Sequence, residues 1–165
     1  MVSDEFTAVA ERHLDDVYAY LVYLTGDRAV AEDLTAETFE KALRSWKRFD
    51  SRRASAKTWL CRIARTRALD HFRAEQRRRR REDLYALREP LEHEEVFGRG
   101  LSPWLERALA SLSAGEREVI ALRILLGLDG DAAARLLGIS PSACSTRLNR
   151  ALTKLEERAR TAVVA

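Results

Sequence analysis

"DAAARLLGISPSACSTRLNRAL", residues 131–152, holds the punctuation of two helices and the turn between them. Gly138 stands where a helix ends in a left-handed residue, and Ile139 can plug the space between the two helices it joins. Ser140 before Pro141 supplies an N-cap followed by proline at the first helical position. At about 3.6 residues per turn, Cys144, Leu148, Ala151, Leu152 and Leu155 fall on one side of the second helix. Ser142, Thr146, Arg147, Asn149, Arg150, Thr153 and Lys154 fall on the other. A short helix, a three-residue turn containing glycine and a second helix with a polar outer face form the pattern of a helix-turn-helix. An ordinary helical hairpin with a solvated face would share that pattern, so the rest of the chain has to decide between them.

The same kind of punctuation extends upstream. Ser113 and Glu116 have the spacing of a capping box ahead of "EREVIALRILLGL", and Ser102 precedes Pro103 at another helix start. Before these lies "EDLYALREPLEHEEVFGRGL", residues 82–101, with a proline, two glycines and few apolar residues. It reads as a linker and marks the domain boundary.

Residues 1–45 read as two or three helices. Phe6, Val9, Leu14, Val17, Leu21 and Leu24 make one apolar stripe, "TGDR" at 25–28 interrupts it, and Val30, Leu34, Phe39, Ala42, Leu43 and Trp46 make another. "FDSRRASAK", residues 49–57, reads as a loop. A helix from about Thr58 to beyond Arg73 is expected to bury Trp59, Leu60, Ile63, Ala64, Ala68, Leu69 and Phe72, leaving a cationic outer face with Arg62, Arg65 and Arg73.

The 165 residues carry a formal net charge of only +3, but its distribution is uneven. Residues 1–45 hold ten acids against four bases, residues 46–81 three against fourteen, and residues 82–101 six against two. Such segregation suggests a division of labour, with the basic block suited to nucleic acid. Three prolines, seven glycines and abundant Ala, Leu, Arg and Glu predict an all-α protein. No apolar run approaches the roughly 18 residues of a membrane span, and the acidic N-terminus is unlike a signal peptide, so the expected location is cytoplasmic without membrane insertion. Cys61 and Cys144 sit among apolar helix positions and have no CxxC partner. With His13, His71 and His93 they make no metal-ligand spacing, and no phosphate loop or nucleophile motif is present. No metal, no cofactor and no catalytic residue is expected.

Three separated stretches then resemble a known family, the short, extracytoplasmic-function type of bacterial RNA polymerase sigma factor in the sigma-70 family. "RAVAEDLTAETFEKALRSW" resembles its core-polymerase-binding helix. "KTWLCRIARTRALDHFRAEQRRR" resembles the region that reads and opens the −10 element, and residues from "LSAGEREVI" to "LNRALTKL" resemble the domain that reads the −35 element. The resemblance implies two small helical domains, a region 2 domain at 1–81 and a region 4 domain at 102–165, joined by a linker at 82–101. It implies binding to core RNA polymerase, at its clamp coiled coil and flap, through Asp33, Glu37, Phe39 and Lys41. It implies −10 contacts from Ser51, Arg52, Arg53, Lys57, Arg62, Arg65, Thr66 and Arg73, with the loop at 50–57 holding a base flipped from the non-template strand. It implies −35 contacts from Ser142, Ser145, Thr146, Arg147, Asn149 and Arg150. Promoter DNA is thus an implied partner, and anti-sigma factors are common in the family. The chain departs from the family pattern at Thr66, where asparagine is common, at Ala36 in place of glutamine, and at Ser145 in place of lysine.

A stand-alone helix-turn-helix regulator is the competing reading. It accounts for residues 128–155 but leaves the acidic N-terminal helices and the basic block without a purpose.

Overall fold

The computed structural model describes residues 4–83 and 103–164, all of whose regular elements are helical. The chain divides into two compact units, Met1–Val96 and Phe97–Ala165. The first contains α1 (Asp4–Thr25), α2 (Arg28–Ser45) and α3 (Ala56–Asp83); the second contains α4 (Pro103–Ala110), α5 (Ala114–Ile120), α6 (Gly130–Leu137) and α7 (Pro141–Val164).

In the first unit the three helices pack pairwise against one another. Gly26, at φ 68°, reverses the chain after α1, and Asp27 caps α2 by accepting the Val30 N–H at 3.1 Å. α3 begins earlier than the expected Thr58, because the Ser55 hydroxyl accepts the Thr58 N–H at 3.1 Å and caps a helix that starts at Ala56. It then runs 28 residues, through all five arginines at 77–81 and into Glu82 and Asp83. The remainder of the expected linker lies outside the described residues.

The core is Phe6, Val17, Tyr20 and Leu21 from α1, Ala31, Leu34, Thr35, Thr38 and Ala42 from α2, and Leu60, Cys61, Ala64 and Ala68 from α3. Periodicity alone misplaced several side chains. Leu14, Leu43 and Phe72, all expected inside, are 47%, 40% and 38% exposed, while Tyr20 is fully enclosed. Thr35 and Thr38 can be buried because their hydroxyls donate to Ala31 O and Leu34 O, each at 2.7 Å, on their own helix. Trp59 is half-buried in an aromatic cluster with Trp46 and Phe49, whose rings stack at 5.0 Å.

In the second unit α7 packs against α4, α5 and α6. The capping box is complete: Glu116 N–H donates to Ser113 Oγ at 3.2 Å and Ser113 N–H donates to Glu116 Oε2 at 2.9 Å. α5 widens into a π-turn over Ala121–Leu125, closed by Leu126 N–H to Ala121 O at 2.9 Å, which leaves Ile124 and Leu125 exposed. Asp129 caps α6 by accepting from Ala132 N–H at 2.8 Å. Gly138 ends α6 in the left-handed region at φ 67°, as the sequence predicts. α6 buries Ala132, Ala133, Ala134, Leu136 and Leu137, its small side chains allowing close approach to α7. Leu109, Leu112, Ile120 and Ala151 form a core against which Leu105, Leu148 and Leu155 pack.

Candidate nucleic-acid interface

Gly138 turns the chain so that α7 follows α6 as the second helix of a helix-turn-helix. The Ser140 hydroxyl accepts the Ala143 N–H at 3.1 Å and starts α7. Cys144 and Ala151 are buried, while Ser142, Ser145, Thr146, Asn149 and Arg150 are exposed. Five of the six expected −35 residues therefore share the outward face, which carries a shallow groove lined by Thr146, Asn149, Arg150, Thr153, Lys154 and Glu157. Arg147 stands apart. It is half-buried on the flank of α7 against Gly115 in the first turn of α5. Lys154, one of the polar-face residues, lies on the same flank, where its ammonium donates to Glu116 Oε1 at 2.7 Å and Oε2 at 2.9 Å. Glu116 is held below the usual carboxylate range, first by this lysine and then by the Ser113 N–H.

The loop between the first unit's helices is internally bonded. Asp50 accepts from Arg52 N–H at 3.0 Å, Arg52 Nε at 3.0 Å and Arg52 Nη2 at 3.1 Å. Its carboxyl is lowered chiefly by the Arg52 side chain, whose own ionisation is correspondingly raised. Ser51, Arg52 and Arg53 remain exposed on this turn. On α3, Arg62, Thr66 and Arg73 occupy one exposed stripe, at positions 62, 66 and 73. Thr66 Oγ1 donates to Arg62 O at 3.0 Å, and Arg73 pairs with Asp70 at 3.3 Å. Arg65 is half-buried beside this stripe. Lys57 is not brought to the stripe: its ammonium is 3.1 Å from Asp16 Oδ2 of α1. The basic run continues on the last turns of α3, where Arg78 bridges Glu75 at 3.0 Å and Glu82 at 3.9 Å.

On α2, Asp33, Glu37 and Lys41 are exposed at four-residue intervals and make one stripe. Phe39 is turned away from it. It is half-buried in an apolar groove between α1 and α2, with Leu14, Tyr18 and Ala36 among the lining residues and Glu11, Asp15 and Glu32 as acids beside it. The exposure of Leu14 is thus part of a surface groove.

No group of three or more His, Cys, Asp or Glu side chains able to hold a metal occurs among the described residues, and no described helix is long and apolar enough to cross a membrane. Cys61 is fully enclosed, and burial, reinforced by the Asp16 charge, pushes its thiol up to about 12.

A helix-turn-helix unit following a three-helix unit with a basic third helix defines a class that known proteins share. The sigma-70 region 2 model matches residues 9–78, and the sigma-70 region 4 model matches residues 102–164. The chain belongs to the sigma-70 family of RNA polymerase sigma factors, in its extracytoplasmic-function group. The sigma factor SigC of Mycobacterium tuberculosis is 38% identical over 138 residues, which cover 82% of this chain and 73% of that protein. SigX of Bacillus subtilis is 30% identical over 170 residues, covering 94% and 84%. BldN of Streptomyces coelicolor is 34% identical over 161 residues, and these span 93% of this chain but only 60% of BldN. Among solved structures, the sigma factor RpoE of Bartonella quintana, crystallised with the anti-sigma factor NepR, matches with a TM-score of 0.79 at 26% identity, over 94% of this chain and 97% of that one.

Proposed function

We propose that this chain joins core RNA polymerase and directs initiation at promoters carrying a −35 and a −10 element, helping to melt the latter. The observation that carries the reading is the presence, in one chain, of a unit matching sigma-70 region 2 with a cationic outer stripe and a unit matching region 4 with a polar recognition face on α7. A stand-alone regulator needs only the second of these.

In this reading the domains run 1–81 and 102–165 with a linker between, and α3 carries the first domain's last helix to Asp83. Asp33, Glu37 and Lys41 meet the polymerase clamp coiled coil, with Phe39 in the adjoining groove, and the second unit meets the flap. Ser51, Arg52 and Arg53 belong to the loop that captures an extruded base, with Lys57 in the first turn of α3 next to it; Arg62, Arg65, Thr66 and Arg73 track the −10 strand. Unstacking costs a few kcal/mol per base, so capture of the extruded base and of the charged strand is what favours the open form. Ser142, Ser145, Thr146, Arg147, Asn149 and Arg150 address the −35 duplex. Neither unit need bind strongly alone, since polymerase holds both and makes the second contact effectively intramolecular. The chain supplies recognition while polymerase supplies the chemistry, and it acts in the cytoplasm. The RpoE likeness makes an anti-sigma factor a further partner.

The test is transcription in vitro by purified core polymerase on a pool of bacterial promoter fragments, with and without this chain. Chain-dependent initiation at fragments sharing two spaced elements is expected. Failure to join core polymerase, together with tight binding to duplex DNA alone, would replace this reading with the regulator.

A further inference from the structure

Gly115 sits in the first turn of α5, and α7 passes beside it. A Cβ placed on residue 115 would stand 3.1 Å from Arg147 Nη1, 3.4 Å from Arg147 Cζ and 3.6 Å from Arg147 Cδ. The end of the Arg147 side chain therefore occupies the space that any other residue at 115 would claim. Backbone geometry does not demand glycine here, because the positive-φ glycines among the described residues are Gly26, Gly127 and Gly138. Gly130 gives the contrast: its Cβ would meet nothing within 4 Å.

Core packing and an ion pair both hold α7 against α5. Seven residues beyond Arg147, Lys154 holds Glu116 through both carboxylate oxygens at 2.7 and 2.9 Å, and Glu116 is itself tied into the cap of α5. The turn that contains Gly115 is thus fastened to α7 beside the arginine. A side chain at 115 has to be accommodated by the flexible guanidinium, because helix separation would open the core that Ile120 of α5 and Ala151 of α7 share as well as stretch this ion pair. Alanine requires a shift of a few tenths of an ångström; leucine requires the guanidinium to leave.

We infer that Gly115 is a positioning residue for Arg147, setting where its guanidinium lies on the flank of the recognition helix and thereby the affinity for the −35 duplex. The inference rests on the −35 reading of α7. Arg147 has the DNA role, and Gly115 acts only through it.

The test uses holoenzyme assembled from full-length chain and core polymerase, with a promoter fragment recovered by the wild-type holoenzyme as probe. G115A and G115L are each made with Arg147 present and with R147A, and affinity is measured at low salt alongside the thermal midpoint of the free chain. With Arg147 present, G115L should lose about tenfold in affinity, the order expected for one DNA-contacting arginine. With R147A it should lose less than about twofold, as coupled sites require. G115A should weaken binding less than G115L while its thermal midpoint stays level or rises, since alanine favours helix over glycine. Equal losses in the two backgrounds, or losses that track the midpoint, would overturn the inference. If wild-type holoenzyme recovers no fragment, the −35 reading beneath it falls first, before any variant is made.

Discussion

Glu116 of α5 and Lys154 of α7, 38 residues apart in the chain, are joined through both carboxylate oxygens at 2.7 and 2.9 Å. The glutamate side chain is 10% exposed and the lysine 49%, so the pair is half in solvent and its Coulomb term is screened. Its importance lies in what Glu116 also does, which is to close the cap of α5. Glu116→Ala removes both roles and should destabilise the second unit by about 1–3 kcal/mol, whereas Lys154→Met should cost under about 1 kcal/mol. Hydrogen exchange at the α5 and α7 amides measures both; equal losses would show that the cap contributes nothing.

The same carboxylate gives a pH dependence. Its folded pKa lies below the unfolded value, so its contribution is fully present above roughly pH 4.3, the unfolded glutamate's range, and is lost as pH falls through the lower folded pKa. Acid unfolding of α5 and α7 should therefore be shallower in Glu116→Gln than in wild type. An unchanged acid profile would detach this group from acid stability.

Asp50 and Arg52 form a bidentate pair that shapes an exposed turn. Asp50→Ala should leave assembly with core polymerase unchanged and slow promoter opening several-fold, because the turn then samples many geometries before capturing a base. Permanganate footprinting of the melted strand is the measurement, and normal opening would take this turn out of the −10 site.

Arg62 is exposed on the outward stripe of α3, and in the proposed reading it meets backbone phosphate. Arg62→Ala should weaken promoter binding across sequences and lower the salt slope by about one. Holoenzyme assembly should persist. A loss of polymerase binding with normal opening by the residual complex would contradict the assignment.

Cys61 should be inert. With no exposure and its thiol raised to about 12, it has neither access nor thiolate at neutral pH. In a Cys144→Ala chain, Ellman's reagent should label Cys61 only after denaturation, and rapid labelling of that native chain would reveal opening of the α1, α2 and α3 core.

Much of the fold was legible because its signals are local. A serine three residues before a glutamate, a glycine after an apolar run and a proline after a serine act within a turn of backbone, and α5, α6 and α7 begin or end at those residues. The start of α3 was missed by two residues, although Ser55 is the same kind of signal. Stripes were legible only as angular patterns. Leu14 and Phe72 lie at the edges of theirs and emerge at the surface, Leu14 in the groove it shares with Phe39 of α2.

The sequence by itself determined the class of protein: helical throughout, basic in the middle block, with a helix-turn-helix near the end, since period, caps and charge are properties of residues a few positions apart. Tertiary structure alone decided which polar side chains face outward. Arg147 and Lys154 read as cations on a helical face and Lys57 as a loop cation, but one lies over Gly115, one holds Glu116 and one meets Asp16. A long, flexible cation takes its nearest partner in space, and that partner is brought close only when distant helices pack.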